Sequence, residues 1–112
     1  MKIIQVQVGK KTFRVKDCKG LSSVKGLMFD EMKNYDGALI YANRIWMPFV
    51  KKDLNLIFLD KDMKVIKSKI AVPVNSSRKS WKVYRDNRAL YCLELKNTGL
   101  KIAKGTRIKV FE

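Results

Sequence analysis

The sequence predicts a mainly β fold, a single-domain β-barrel or sandwich with one or two short helices. Three observations carry this expectation. Apolar and polar residues alternate at period two from the start of the chain. Leu54–Leu59 is an apolar run with Asn55 as its one polar member, the pattern of a strand covered on both faces. The other hydrophobic runs are short and separated by turn residues, which leaves little room for helical crossovers.

Ile4, Val6 and Val8 fall on one face and Gln5 and Gln7 on the other. Gly9-Lys10-Lys11 turns the chain, and Phe13 and Val15 then alternate with Thr12, Arg14 and Lys16, giving a β-hairpin with one wet face. Ser22 or Ser23 can cap a short helix in which Val24, Leu27 and Met28 share a face, with Gly26 marking close packing or an early end. Asn34-Tyr35-Asp36-Gly37 is a turn signal, followed by strands over 38–42 and 44–49. In the second of these, Ile45, Met47 and Phe49 face away from Trp46, and Pro48 marks an edge or a bulge.

Asp60-Lys61-Asp62 turns the chain from the central strand into another over 65–74. Residues 75–80 form a polar loop, the long connection of the chain and a place where function concentrates. A strand over 90–95 follows. Asn97-Thr98 can cap one helical turn through Leu100, Ile102 and Ala103, stopped by Gly105. A last strand over 107–111 is expected to point Ile108 and Val110 inward.

Composition narrows the functional classes. A chain of 112 residues, 46% hydrophobic, suits one domain spanning 1–112 with a real core. Lys and Arg number 25 against 10 Asp and Glu, a formal charge of +15. Such a field attracts polyanions, nucleic acid or an acidic protein surface, and also serves plain solubility. The sequence has 0 His, so imidazole base catalysis and His-ligated zinc are excluded. Cys18 and Cys92 have no metal-ligand spacing. They read as free thiols, with Cys92 buried, although a single disulfide between them stays open; this favours a reducing compartment. No apolar stretch approaches the ~18–20 residues of a membrane-spanning helix, and the N-terminus alternates too early for a leader peptide. The expected location is cytoplasmic, with no cofactor.

Three separated blocks resemble the domain-of-unknown-function family 192. Gly26-Leu27-Met28 is similar to the family's Gly-Leu-Met, and Asp36-Gly37-Ala38-Leu39-Ile40 to the Gly-Met-Leu-Phe segment after it. Trp46-Met47 through Leu56-Ile57-Phe58-Leu59-Asp60 resembles the family's Trp-Met-Lys-Asn-Thr, Ile-Pro-Leu-Asp-Ile and Phe-Leu-Asp. Tyr91-Cys92-Leu93-Glu94-Leu95, with Gly99, Ile102 and Gly105, resembles its Val-Leu-Glu strand and Ile-x-x-Gly-Asp ending. The resemblance implies an all-β fold and brings no settled activity. Some relatives are exported, which this chain's start does not suggest. Pro48-Phe49-Val50 stands for the family's Lys-Asn-Thr, Asp53 for its Pro, Asn55 for its Asp and Thr106 for its final Asp, so a site built from those polar groups is largely lost.

Two groups of residues are candidate sites. Arg78, Lys79, Trp81, Lys82, Tyr84, Arg85 and Arg88 form the densest basic segment, where cations can neutralise phosphates and rings can stack on bases. The bland reading is a solvated loop anchored by Trp81 and Tyr84. Trp46, Met47, Asn55 and Asp60 are a candidate pocket of the family motif, with one aromatic wall and a few polar groups; the bland reading is a packed sheet with Asp60 bonding its own turn. Asp60-Lys61-Asp62 lacks the Gly and distal Glu of a calcium loop, and no Ser sits in a nucleophile elbow. The best expectation is a non-enzymatic binding module for a polyanionic partner. The alternatives are a small-molecule or enzymatic site near Trp46 and Asp60, or a structural interaction domain pairing through an edge strand.

Overall fold

The computed structural model describes residues 2–18, 34–46, 53–72, 83–96 and 99–111. Nine strands run β1 (Ile3–Val8), β2 (Lys11–Cys18), β3 (Gly37–Ile40), β4 (Arg44–Trp46), β5 (Leu54–Leu59), β6 (Val65–Ala71), β7 (Val83–Arg85), β8 (Tyr91–Leu95) and β9 (Lys109–Phe111). Seven form one sheet in the order β6-β5-β8-β3-β2-β1-β9, and β4 pairs with β7 as a separate ribbon. The fold is mainly β, as the alternation predicts. Among the described residues no helix is long and apolar enough to cross a membrane.

The N-terminal hairpin forms as its pattern requires. Ile4, Val6, Val8, Phe13 and Val15 are buried, and Val8 pairs with Lys11 across a two-residue loop. Gly9 takes a positive φ of 61° there, the backbone that a tight hairpin favours and a side chain resists. At the far end of β5, Asp60 builds the next turn. Its Oδ1 accepts the Asp62 and Lys64 N–H groups at 2.8 and 3.0 Å. Those bonds hold its carboxyl below the usual range, the Lys64 N–H first among them.

β5 is buried at every position because the sheet is covered on both sides. Leu54, Leu56 and Phe58 join an outer cluster with Ile40, Cys92, Ile45 and Tyr84. Ile57 and Leu59 join an inner cluster with Val6, Val15, Leu93 and Ile108. The β4–β7 ribbon supplies Ile45 and Tyr84 and so helps roof the outer face. Each of these large apolar side chains contributes roughly 1.5–3 kcal/mol by leaving water.

The sheet curls into a half-barrel whose two edges meet at one corner. Lys64, before β6, bridges Arg107, before β9. Val65 donates its N–H to the Thr106 carbonyl at 2.8 Å and accepts from Gly105 at 2.8 Å, and Ile108 donates to the Met63 carbonyl at 2.8 Å. Gly105 makes this corner possible with a φ of 90°.

Several expectations need correction. Residues 100–103 are not helical; the chain there runs to the corner, where Thr106 donates to Ala103 at 3.2 Å. Val110 shares the face of buried Val6, its direct partner, yet is 39% exposed, because β9 is an edge strand held by β1 alone along its length. The expected helix over 21–29, the loop over 75–80, Pro48 and the cap at Asn97-Thr98 lie outside the described residues. Cys18 and Cys92 are buried and form no disulfide. Both pair with Ile40, from opposite sides, so they sit two strands apart, about 9–10 Å, beyond disulfide reach.

Candidate functional site

Of the basic segment, Arg78, Lys79, Trp81 and Lys82 lie outside the described residues, and Tyr84, Arg85 and Arg88 within them. In β7 the alternation turns Tyr84 into the outer cluster at 4% exposure and leaves Val83 and Arg85 on the surface. Tyr84 accepts the Val72 N–H on its hydroxyl oxygen at 3.2 Å. Its ring therefore anchors the ribbon to the end of β6 and presents no open surface for stacking.

Arg85 pairs directly with Arg44 across the ribbon, and both are exposed. Like charges at directly opposed strand positions repel, and this pair concentrates positive charge on the outward face of the ribbon. Two lysines of β6 stand beside it. Lys67 donates from Nζ to the Arg85 carbonyl at 3.2 Å and lies 5.5 Å from the centre of the Phe58 ring. Lys69 Nζ lies 5.8 Å from the centre of the Tyr84 ring. Between β6 and β7 these side chains line a cleft of about 130 Å³, with Phe58 and Tyr84 at its base and Val83 and Arg85 beside them.

Asp86 is the acid of this neighbourhood. It is buried and accepts three bonds from Arg88: the backbone N–H at 2.9 Å, Nε at 3.0 Å and Nη2 at 2.8 Å. Lys67 Nζ lies 3.8 Å from Oδ2, the oxygen that also accepts from Arg88 Nη2. The Arg88 guanidinium holds the Asp86 carboxyl down at about 2, and Asp86 in turn raises Arg88. Arg88 is thus committed to closing the turn after β7, although 63% of its side chain stays exposed. Lys67 shares Asp86 with Arg88, while Arg44, Lys69 and Arg85 add positive charge to the same neighbourhood.

The family-motif residues do not converge to the same degree. Met47 lies outside the described residues, and of Trp46 the backbone is placed, opposite Val83 in the ribbon. Asn55 is 2% exposed and donates from Nδ2 to the Leu100 carbonyl at 2.9 Å, tying the loop before the corner to the central strand. Asp60 sits at the opposite end of β5, about 17 Å away at strand rise, and serves its turn.

Sequence reading missed four residues that matter. Arg44, Lys67 and Lys69 come from other segments, and only the register of β6 and β4 brings them to β7. The fourth is Glu94, 4% exposed within β8. Burial pushes its carboxyl up to about 8, against the opposing pull of Lys16. It lies in a row across the sheet, Lys16, Ala38, Glu94, Leu56 and Lys69. A Glu inside the otherwise apolar run of residues 90–95, in phase with buried Cys92, was the available signal. Burial likewise pushes the Cys92 thiol well above its ordinary range, with Glu94 adding to the effect. Among the described residues no three His, Cys, Asp or Glu side chains gather as a metal would require.

The fold is similar to that of a candidate transcription regulator from Sinorhizobium meliloti 1021, with a TM-score of 0.75 and 18% identity over 96% of this chain and 92% of that one. It is similar also to a protein of unknown function from Novosphingobium aromaticivorans DSM 12444, with a TM-score of 0.67 and 19% identity over 96% of this chain and 83% of that one. At these identities the likeness is one of fold. No protein-family model matches the chain, and no curated protein matches it.

Proposed function

We propose that this protein is a non-enzymatic binding module whose cationic surface around β6 and β7 takes a polyanionic partner. One observation carries the reading: Arg44 and Arg85 stand directly opposed and exposed, with Lys67 and Lys69 lining a cleft beside Arg85. Repulsion of this kind costs the free protein stability, and a bound anion turns the cost into affinity. The neighbouring acid, Asp86, is already taken up by Arg88. The field of a +15 chain adds long-range attraction and a steep dependence on salt. The candidate transcription regulator of similar fold is in keeping with a nucleic-acid partner but does not select one.

Fluorescence anisotropy with labelled oligothymidylate, heparin and poly-glutamate at low and high salt tests the reading. At least one of these is expected to bind at low salt and to weaken steeply as salt rises. The double variant Arg44→Glu with Arg85→Glu is expected to lose about tenfold or more in affinity, since it reverses two of the converging charges. A parent protein that binds none of the three at low salt, or a folded double variant that binds as tightly as the parent, overturns the proposal.

A further inference from the structure

β6 ends the seven-stranded sheet, and its edge is used at its two extremities. At one end Val65 bonds Thr106 and Gly105 through its outward N–H and carbonyl. Just past the other end, Val72 donates its N–H outward to the Tyr84 hydroxyl. Alternate residues of an antiparallel strand turn their backbone groups to the same side, so Ser68 and Ile70 turn theirs outward with Val72. Among the described residues, no backbone group meets them there. Lys67, Ser68, Lys69 and Ile70 are exposed in succession, and Ile70 is 44% exposed. Four exposed positions in a row leave both faces of this edge strand uncovered.

Beside that edge the half-barrel gapes. The corner holds residues 105–108 against residues 63–65, but the chain before it swings away from β6. The gap is a slit of about 260 Å³ lined by Ser68, Ile70, Leu100 and Ile102, with Asn55 between them and Lys69 and Lys101 also on its walls. Asn55 fixes the far wall through its bond to Leu100. The two faces of the edge differ in chemistry. Ser68 and Ile70 look into the slit, while Lys67 stands over the Phe58 ring on the other side and Lys69, near the Tyr84 ring, borders both.

We propose that the edge of β6 is a strand-acceptor site, and that its partner is an extended polypeptide segment in which acidic and apolar residues alternate. This deepens the polyanion reading and rests on it, because Lys67 and Lys69 belong to the same cationic surface. An added strand bonds Ser68 and Ile70 through its backbone. Its residues opposite Lys67 and Lys69 are acidic, and those between them enter the slit beside Ile70, Leu100 and Ile102. Nucleic acid can meet the lysines, but it has neither the backbone ladder nor the alternating apolar side chains that this edge asks for. A second copy of this chain is the poorer occupant. Antiparallel self-pairing centred on Ser68 sets Lys67 against Lys69 of the other copy, and like charges directly opposite are destabilising.

The test uses isotope-labelled protein with three probes: a peptide alternating Glu and Val, a peptide of the same composition with Glu and Val in separate blocks, and oligothymidylate of equal charge. The alternating peptide is expected to slow amide exchange at Ser68 and Ile70 about tenfold or more, as hydrogen bonding does, and to shift Leu100 and Ile102. Ser68→Pro removes an outward N–H at an edge position where Pro is tolerated, and is expected to abolish that protection. The double variant Lys67→Glu with Lys69→Glu gives the same loss without touching the backbone. Equal binding of both peptides with no protection at Ser68 and Ile70 overturns the strand-acceptor site and leaves the polyanion reading standing. Binding of oligothymidylate alone does the same and assigns the surface to nucleic acid. Binding of none of the probes at low salt removes both.

Discussion

Asp86 and Glu94 are both buried carboxyl groups in one small cationic protein, yet their environments drive them in opposite directions. Asp86 lies at the end of a short ribbon, where Arg88, two residues on, reaches it with three hydrogen bonds. Its charge is stabilised and its carboxyl falls to about 2. Glu94 lies between Ala38 and Leu56 in the middle of the sheet. The sheet puts Lys16, in the same row, a full strand further out beyond Ala38. Desolvation outweighs its attraction, and the carboxyl rises to about 8. A high net charge therefore does not ionise every acid it surrounds. Partners within hydrogen-bond reach do so, and a sheet interior can withhold them.

The largest effect is expected where the backbone packs against Glu94 itself. Gly37 of β3 has no room for a side chain, since a Cβ there would overlap the Glu94 carbonyl oxygen. Gly37→Ala is expected to prise β8 from β3 and cost roughly 4 kcal/mol or more. Chemical denaturation measures it, and a loss under about 1 kcal/mol would mean that the strands are less closely apposed than this.

Next comes the protonation of Glu94. Its folded value of about 8 exceeds its ordinary 4.5, so between these two values the folded chain holds a proton that the unfolded chain releases. Stability from this group is full below about pH 4.5 and declines as pH rises to about 8. Glu94→Gln keeps the neutral shape. It is expected to match the parent near pH 4 and to exceed it by on the order of a few kcal/mol at pH 8. Parallel denaturation curves at the two pH values would show it, and an offset independent of pH would contradict the contrast with Asp86.

The smallest effect is at Asp86 and has the opposite sign. Its folded value lies below its ordinary 3.8, so it stabilises the fold above about pH 3.8 and loses that contribution as pH falls towards 2. Arg88→Ala is expected to raise the Asp86 carboxyl towards 3.8 while Lys67 keeps part of the depression. Carbon-detected titration of the side-chain carboxyl reads the shift directly. An unmoved Asp86 would transfer the cause from Arg88 to Lys67.

Local pattern carried much of the fold. The alternation of Ile4, Val6 and Val8 and the apolar run of β5 both express burial that neighbouring residues impose, and both were legible. What was not legible depends on strand order. Arg44 opposes Arg85, and Lys67 reaches the Arg85 carbonyl, only because β4 pairs with β7 beside β6. The inward turn of Tyr84 follows from which face of β7 the sheet covers, which its flanking charges conceal. Val110 keeps the right period but lies on an edge, where period alone does not bury.

The meeting of residues 63–65 with residues 105–108 sets an order on how the molecule can be completed. The first partner emerges from the ribosome well before the second. Until the later one arrives, the inner cluster lacks Ile108. The corner is a seam of a few backbone bonds joining strands whose sequences already specify their faces.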